Sequence, residues 1–247
     1  SYSATVSDTV YAGLDARYSR GRDDEPDVGS LRATGGWQIS PRLNLTGDFG
    51  YDRVGGQNRL SAFFSLVFRF DRSSSLRADY DSRGDRKRLT YQTYHGTGTG
   101  AYNFSADIEH SDVGIVTGAN GTLFSNRAEL GFSHFGAFEG DLGGSTSQRT
   151  SLRFGTALAV ADGAFSVGRP IQESFAIVSP HASLRGTDIL IEPTGRSAAA
   201  NSGALGTALQ PSLSSYSERN LLITAPDAPL NTDLGEGSFR LLPPYRG

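Results

Sequence analysis

The sequence predicts an all-β protein, an antiparallel transmembrane β-barrel portion followed by a small β-sandwich, and three observations carry that expectation. From Thr9 to about Gly163, segments of roughly ten residues alternate apolar and polar side chains between Gly, Asp, Asn, Ser or Pro clusters. Aromatic residues make up 10% of 247 residues and glycine contributes 31, a mixture suited to strands and tight turns. Near Gly168 the long alternations give way to short apolar bursts punctuated by Pro170, Pro180, Pro193, Pro211, Pro226 and Pro229.

The first segment sets Val10, Ala12, Leu14, Ala16 and Tyr18 on one face against Tyr11, Asp15, Arg17 and Ser19. Leu31, Ala33, Gly35, Trp37 and Ile39 then alternate with Arg32, Thr34 and Gln38. Leu43, Leu45, Gly47, Phe49 and Tyr51 alternate with Arg42, Asn44, Thr46, Asp48 and Asp52. The clearest case is Leu60, Ala62, Phe64, Leu66, Phe68 and Phe70 against Arg59, Ser61, Ser65, Arg69 and Asp71, with Phe63 and Val67 as exceptions. Shorter copies put Leu76, Ala78 and Tyr80 against Arg77, Asp79 and Asp81, and Leu89 and Tyr91 against Arg88, Thr90 and Gln92. Tyr102, Phe104, Ala106 and Ile108 oppose Asn103, Ser105, Asp107 and Glu109. Ala128, Leu130 and Phe132 oppose Arg127, Glu129 and Ser133, and Leu152, Phe154, Leu158 and Val160 oppose Ser151 and Arg153. These give about ten strands by the two-residue period.

Strand length separates the two architectures that produce serial alternation. Strands of soluble sheets average about five or six residues, whereas tilted membrane strands need about nine to eleven. Aromatic residues near segment ends, such as Tyr18, Trp37, Tyr51, Phe70, Tyr80 and Tyr94, match interfacial girdles. A mean hydropathy of -0.34 agrees, because half of each barrel strand faces water. The rival architecture is a soluble sandwich or solenoid.

Residues 1–168 are expected to form the barrel portion and residues 169–247 the sandwich, with Phe175–Val178, Asp188–Ile191, Leu221–Thr224 and Phe239–Leu242 as short strands. The small-residue stretch Ser197–Gly206 reads as a loop or edge within that unit. No apolar run approaches the length of a membrane-spanning helix, and Ser1 to Asp8 have no signal-peptide pattern. Without an initiator Met, the chain is expected to be a fragment of a longer protein.

Charge and titratable residues remove several function classes. Lys+Arg 23 against Asp+Glu 26 gives a net charge of -3 with basic residues scattered singly, which leaves no nucleic-acid footprint. There is no cysteine, so no disulfide or thiolate metal site exists. His95, His110, His134 and His181 lack metal-ligand spacing, and Gly96–Gly100 lacks the Lys and helix of a phosphate loop. The carboxylate clusters Asp79/Asp81 and Asp23-Asp24-Glu25 read as solvated charge rather than acid–base or calcium sites. No catalytic, metal-binding or cofactor-binding residue is assigned, and the protein is not expected to be an enzyme.

The second part resembles the segment that follows the barrel in bacterial fimbrial ushers of the chaperone–usher pathway. The resemblance rests on the order of Ser174-Phe175-Ala176-Ile177-Val178, Asp188-Ile189-Leu190-Ile191-Glu192, Gly206-Thr207-Ala208-Leu209-Gln210-Pro211-Ser212-Leu213, Ser215-Tyr216-Ser217-Glu218-Arg219-Asn220, Leu221-Leu222-Ile223-Thr224, Ala228 to Leu234, and the closing Pro244-Tyr245-Arg246-Gly247. It departs at Ala198-Ala199-Ala200-Asn201-Ser202, where the family has an Asp-rich turn. It implies an outer-membrane pore that exports and assembles pilus subunits, with its C-terminal domain in the periplasm. Its implied partners are outer-membrane lipid and periplasmic chaperone–pilus subunit complexes. An N-terminal periplasmic domain, earlier barrel strands, a plug and a further C-terminal β-domain are expected outside this sequence. Under that reading Arg17, Arg32, Arg42, Asp48, Arg59, Arg69, Arg77, Asp79, Arg88, Asp107, Glu109, Arg127, Glu129 and Arg153 line a wet lumen. Phe175, Ile177, Leu221 and Ile223 are divided between core, the preferred reading, and partner contact. The competing functions are a passive porin-like channel and a soluble adhesive or carbohydrate-binding β-protein.

Overall fold

The computed structural model describes residues 2–21, 27–140, 142, 144–184, 186–195, 197–229 and 237–245. Asp23-Asp24-Glu25, the stretch from 230 to 234 and the terminal Arg246-Gly247 lie outside them. Among the described residues there is no α-helix, and the long strands join in one sheet in sequence order. They are β1 (Tyr2–Ser7), β2 (Val10–Ser19), β3 (Val28–Ser40), β4 (Leu43–Val54), β5 (Gln57–Arg69), β6 (Ser74–Asp81), β7 (Arg86–Tyr94), β8 (Tyr102–Ser111), β9 (Gly114–Phe124), β10 (Glu129–Phe138) and β11 (Ser145–Gly155). The sheet is open, with β1 and β11 at its two edges.

Eleven strands stand where the alternation counted about ten, and the differences have local causes. β1 was hidden by its small and polar residues, and β9 by its glycines and threonines, which blur the two-residue period. The run from Leu152 to Val160 is two strands. The break falls at Thr156, whose hydroxyl donates to the carbonyls of Arg127 at 2.8 Å and Gly168 at 3.1 Å. β12 (Ala157–Ala161) pairs instead with β13 (Ala164–Gly168).

Register turns ten-residue patterns into two continuous surfaces. Leu14 pairs with Ala33, Ala33 with Phe49 and Phe49 with Ala62; Trp37 pairs with Leu45, Leu45 with Leu66, Leu66 with Ala78 and Ala78 with Leu89. The opposite face carries Asp15 beside Arg32, Thr34 beside Asp48, Asp52 beside Arg59 and Asp79 beside Arg88. A one-residue slip anywhere would mix the faces, so the pattern fixes the register.

Compactness divides the chain into two units. One comprises residues 1–94, 104–120 and 133–150, the other 95–103, 121–132 and 151–247. In the first, among the described residues, no hydrophobic side chain is buried, and Phe64, Leu66 and Phe68 are 36 to 39% exposed while Ser65 between them is 4% exposed. The apolar face is therefore uncovered, while small residues of the polar face such as Ser65 lie beneath arginines whose tips stay exposed.

The second unit holds the chain's buried apolar core. β14 (Ser174–Val178) pairs with β17 (Ala208–Leu213), and β15 (Leu190–Ile191), β16 (Ala200–Asn201), β18 (Arg219–Thr224) and β19 (Ser238–Leu241) form a sheet in the order β16-β15-β18-β19. Ile191, Ala200 and Leu221 from the larger sheet meet Ala208 from the smaller, with Ala176, Val178, Ile223 and Leu241 packed around them. Residues of both small antiparallel sheets thus share one buried cluster, and Leu184, Ile189 and Ala225 form a second beside it. Pro211 is accommodated within β17 at the register shift between the pairs Ser174–Leu213 and Ala176–Gln210, an irregularity that tolerates a residue without an amide.

The turn between β5 and β6 illustrates how sequence fixes the hairpins. The Asp71 carboxylate accepts from the Ser73 amide at 2.7 Å, the Ser73 hydroxyl at 2.8 Å and the Ser74 amide at 2.7 Å. The Ser73 hydroxyl, then its amide, hold the Asp71 pKa below the ordinary carboxylate value. Its contribution is therefore present above the unfolded carboxylate pKa and is lost as pH falls through the depressed folded value. The protection factors of the Ser73 and Ser74 amides, taken relative to their intrinsic exchange at each pH, should fall on acidification in that window, and Asp71→Asn should remove that pH dependence of protection.

Candidate functional site

The first unit presents a polar face built from paired charges. Arg17 lies 3.1 Å from Asp15, Arg32 3.5 Å from Asp48, Arg77 2.8 Å from Asp79 and Arg88 3.2 Å from Asp107. Asp79 stands opposite Arg88 in register, so Arg77, Asp79, Arg88 and Asp107 run as alternating charges across β6, β7 and β8. Val67, Ser75, Thr90 and Gln92 border the same depression. Each exposed pair contributes only about 0–1 kcal/mol, so the row is better regarded as a surface of cancelling fields than as a staple. Arg59 faces Asp52 and Arg69 faces Ser75 in register, and Glu109 occupies β8 two residues beyond Asp107. Tyr11 lies over Gly36 on this face, its ring filling the space in which a Cβ at Gly36 would fall 2.1 Å from it.

Two of the expected lining residues are not on a strand. Arg42 is in the β3–β4 turn, where its carbonyl accepts from the Arg69 amide at 2.7 Å. Arg127 is in the β9–β10 turn, and it is a hub of the second unit. Its guanidinium donates to the carbonyls of Val167 at 2.6 Å, Thr207 at 3.1 Å and Ser202. Burial pushes its pKa down. Glu129 and Arg153, also in the second unit, pair at 3.0 Å.

Around Arg127 the same unit closes the outer edge of β16. The Asn126 amide donates to the Asn201 carbonyl at 2.8 Å and accepts from the Asn201 amide at 2.9 Å, so one side chain imitates the next strand. The Thr99 amide donates to the Ala198 carbonyl at 2.7 Å, and the Ser197 hydroxyl to the Thr99 carbonyl at 3.1 Å. Arg169 donates to the carbonyls of Thr97 and Ala199, and its guanidinium lies 5.6 Å from the centre of the Phe124 ring. Desolvation lowers the Arg169 pKa, against the opposing field of Glu129. The small-residue stretch is thus an edge capped by polar groups from the β7–β8 and β9–β10 connections. Alternation searches miss Asn126 and Arg169 because they occupy connections; their polarity beside short loops is the only sequence signal.

Of the four expected partner-contact residues, Leu221 is 2% exposed in the core and Ile223 packs against it. Phe175 and Ile177 alternate with the core-facing Ala176 and Val178 and are partly buried on the other face of β14. They are the two that remain available to a partner. Among the described residues, no group of three or more His, Asp or Glu could hold a metal ion. No protein-family model matches the chain, and no curated protein matches it either.

Proposed function

We propose that this chain forms part of the wall of an outer-membrane pore through which pilus subunits are exported and assembled, as in a fimbrial usher. The observation that supports it is the inverted surface of the first unit. Its apolar face is exposed, including Leu14 at 50%, Trp37 at 50%, Phe49 at 52% and Leu60 at 78%, and among its described residues no hydrophobic side chain is buried. An antiparallel sheet in water does the opposite, covering its apolar face with a core. Each such side chain left in water forgoes part of the about 1.5–3 kcal/mol that full burial supplies, a penalty that hydrocarbon removes.

The dimensions agree. The apolar row from Leu60 to Phe70 spans about ten residue steps of about 3.4 Å, and a strand tilt of about 40–45° reduces that to roughly 25 Å, the height of the apolar band in outer-membrane barrels. The finer reading as an usher adds the segment order in the second part of the chain. In it the small sheets face the periplasm, and Phe175 and Ile177 contact chaperone–subunit complexes. No hydrolysis is assigned to the chain; strand exchange between subunits supplies the driving force.

The test is expression of the full chain behind an added secretion signal in a Gram-negative host, followed by alkaline extraction of membranes and capture of a purified chaperone–subunit complex. Resistance to extraction together with capture, weakened by Phe175→Ser, is the expected result. Extraction into the soluble fraction overturns the membrane reading. Membrane retention without capture replaces the usher with a passive porin-like channel.

A further inference from the structure

The β12–β13 hairpin, wholly within the second unit, has one face built into that unit and one face bare. From Ala157 to Gly168 it carries a single charge, Asp162, placed in the Asp162-Gly163 turn where both residues have positive φ, 48° and 77°. Ala159 stands opposite Ser166 on the inner face, and both are buried. Leu158 opposite Val167 and Val160 opposite Phe165 make the outer face, on which Leu158 is 71%, Val160 69% and Phe165 50% exposed. The inner face is fastened, because a Cβ at Gly168 would fall 2.6 Å from the Leu209 side chain. At the outer edge of β13 the Phe165 carbonyl accepts from the Thr207 hydroxyl at 2.8 Å and the Val167 carbonyl from Arg127 at 2.6 Å. Those two residues form non-hydrogen-bonded pairs with β12, so their carbonyls point away from it, and with both occupied no further strand can add to that edge.

On the membrane reading of the long strands, on which this rests, we propose that the outer face of the hairpin lies in the interfacial layer of the same bilayer and holds the second unit against the lipid surface. The apolar row of β11 leads into it. Leu152 and Phe154, 81% and 66% exposed, stand on the same two-residue period as Leu158 and Val160, so the row runs on through the break at Thr156 although the strand does not. Proteins in water guard exposed apolar strands with charged neighbours, and this hairpin has none on either strand. Its size argues against a protein occupant. Two five-residue strands present a face of roughly 170 Å² at about 3.4 Å per residue, far below the about 800 Å² per partner of a stable protein interface. Lipid sets no such minimum, and a rigid apolar face with an aromatic ring is what the interfacial layer accepts.

The chain has no cysteine, so a single introduced one reports a single position. Leu158→Cys, Val160→Cys, Leu66→Cys and Ser212→Cys, each in the full chain refolded into phosphatidylethanolamine–phosphatidylglycerol vesicles, are labelled with an environment-sensitive fluorophore. Quenching is measured with lipids that carry a nitroxide near the headgroup and, separately, with iodide in the water. Leu66 reports the lipid-facing row of β5, and Ser212 an exposed position in the second unit away from the hairpin. The label at Leu158 or Val160 should be quenched by the nitroxide lipids several-fold more strongly than the label at Ser212, and shielded from iodide. If the Leu66 label answers to lipid while both hairpin labels behave like Ser212, the anchor is overturned and the membrane reading stands. If the Leu66 label also ignores lipid, the membrane reading itself fails and takes the anchor with it. Hairpin labels shielded from iodide yet silent to lipid overturn the proposal in favour of a second copy of the chain covering the face.

Discussion

Replacing Leu66 with arginine should abolish stable membrane insertion, while Gln92→Arg should leave it intact. Leu66 sits mid-strand on β5 between Leu45 of β4 and Ala78 of β6, and it is 39% exposed on the apolar face. In lipid, an arginine at that depth costs about 2–4 kcal/mol, and a side chain in the centre of a strand has a long way to reach the interface. Gln92 stands opposite Ser75 on the charged face, where a further guanidinium meets water. The measurement is the denaturant midpoint of each variant refolded into vesicles, together with its alkaline extraction. If the sheet were instead a water-soluble one, Leu66→Arg would raise solubility at no cost in stability. Equal behaviour of the two variants would therefore remove the membrane reading at its root.

That contrast was available in the sequence because a strand's period is two. Leu60, Phe64, Leu66 and Phe68 declare a face without any knowledge of neighbours, and cross-strand pairing then only has to keep the faces together. Phe63 and Val67, which violate the alternation, do lie on the charged face, beside Asp48, Asp81 and Arg77. Where the period was blurred the reading failed. β9 carries Gly114, Gly118 and Gly121 with Thr117 and Thr122, residues that pack on either face, and the Leu152–Val160 run kept its alternation through a break that depends on Thr156 finding two distant carbonyls. Four short strands of the second unit, β14, β15, β18 and β19, were legible from their apolar bursts, whereas β13 and β17 were not marked as strands. β16 was not, because Ala200 and Asn201 belong to a strand only by virtue of what caps them.

The same limit explains the one expected lining residue with a different occupation, and it leads to the other large effect. By parity Arg127 continues the charged row that includes Glu129, yet the strand starts only at Glu129, and the arginine is free to turn into the small sheets. Arg127→Met should destabilise the second unit by about 2–4 kcal/mol, since three main-chain carbonyls, of the half-buried Val167 and Thr207 and the buried Ser202, lose a charged donor. Ser202 itself is 1% exposed. Lysine should not restore the loss: a single ammonium cannot reproduce a planar fork that reaches carbonyls from three separate segments. Hydrogen exchange reads the result directly. In Arg127→Met and Arg127→Lys the amides of β12, β13 and β17 should lose protection together, while those of β3, β4 and β5, which belong to the other unit, keep theirs. Arg77→Met is the matched control, because it removes an exposed pair with Asp79 on the charged face and should cost no more than about 1 kcal/mol. Should Arg127→Met prove as mild as Arg77→Met, the turn is not the clamp of the small sheets, and Arg127 returns to the charged face on which its position in the sequence first put it.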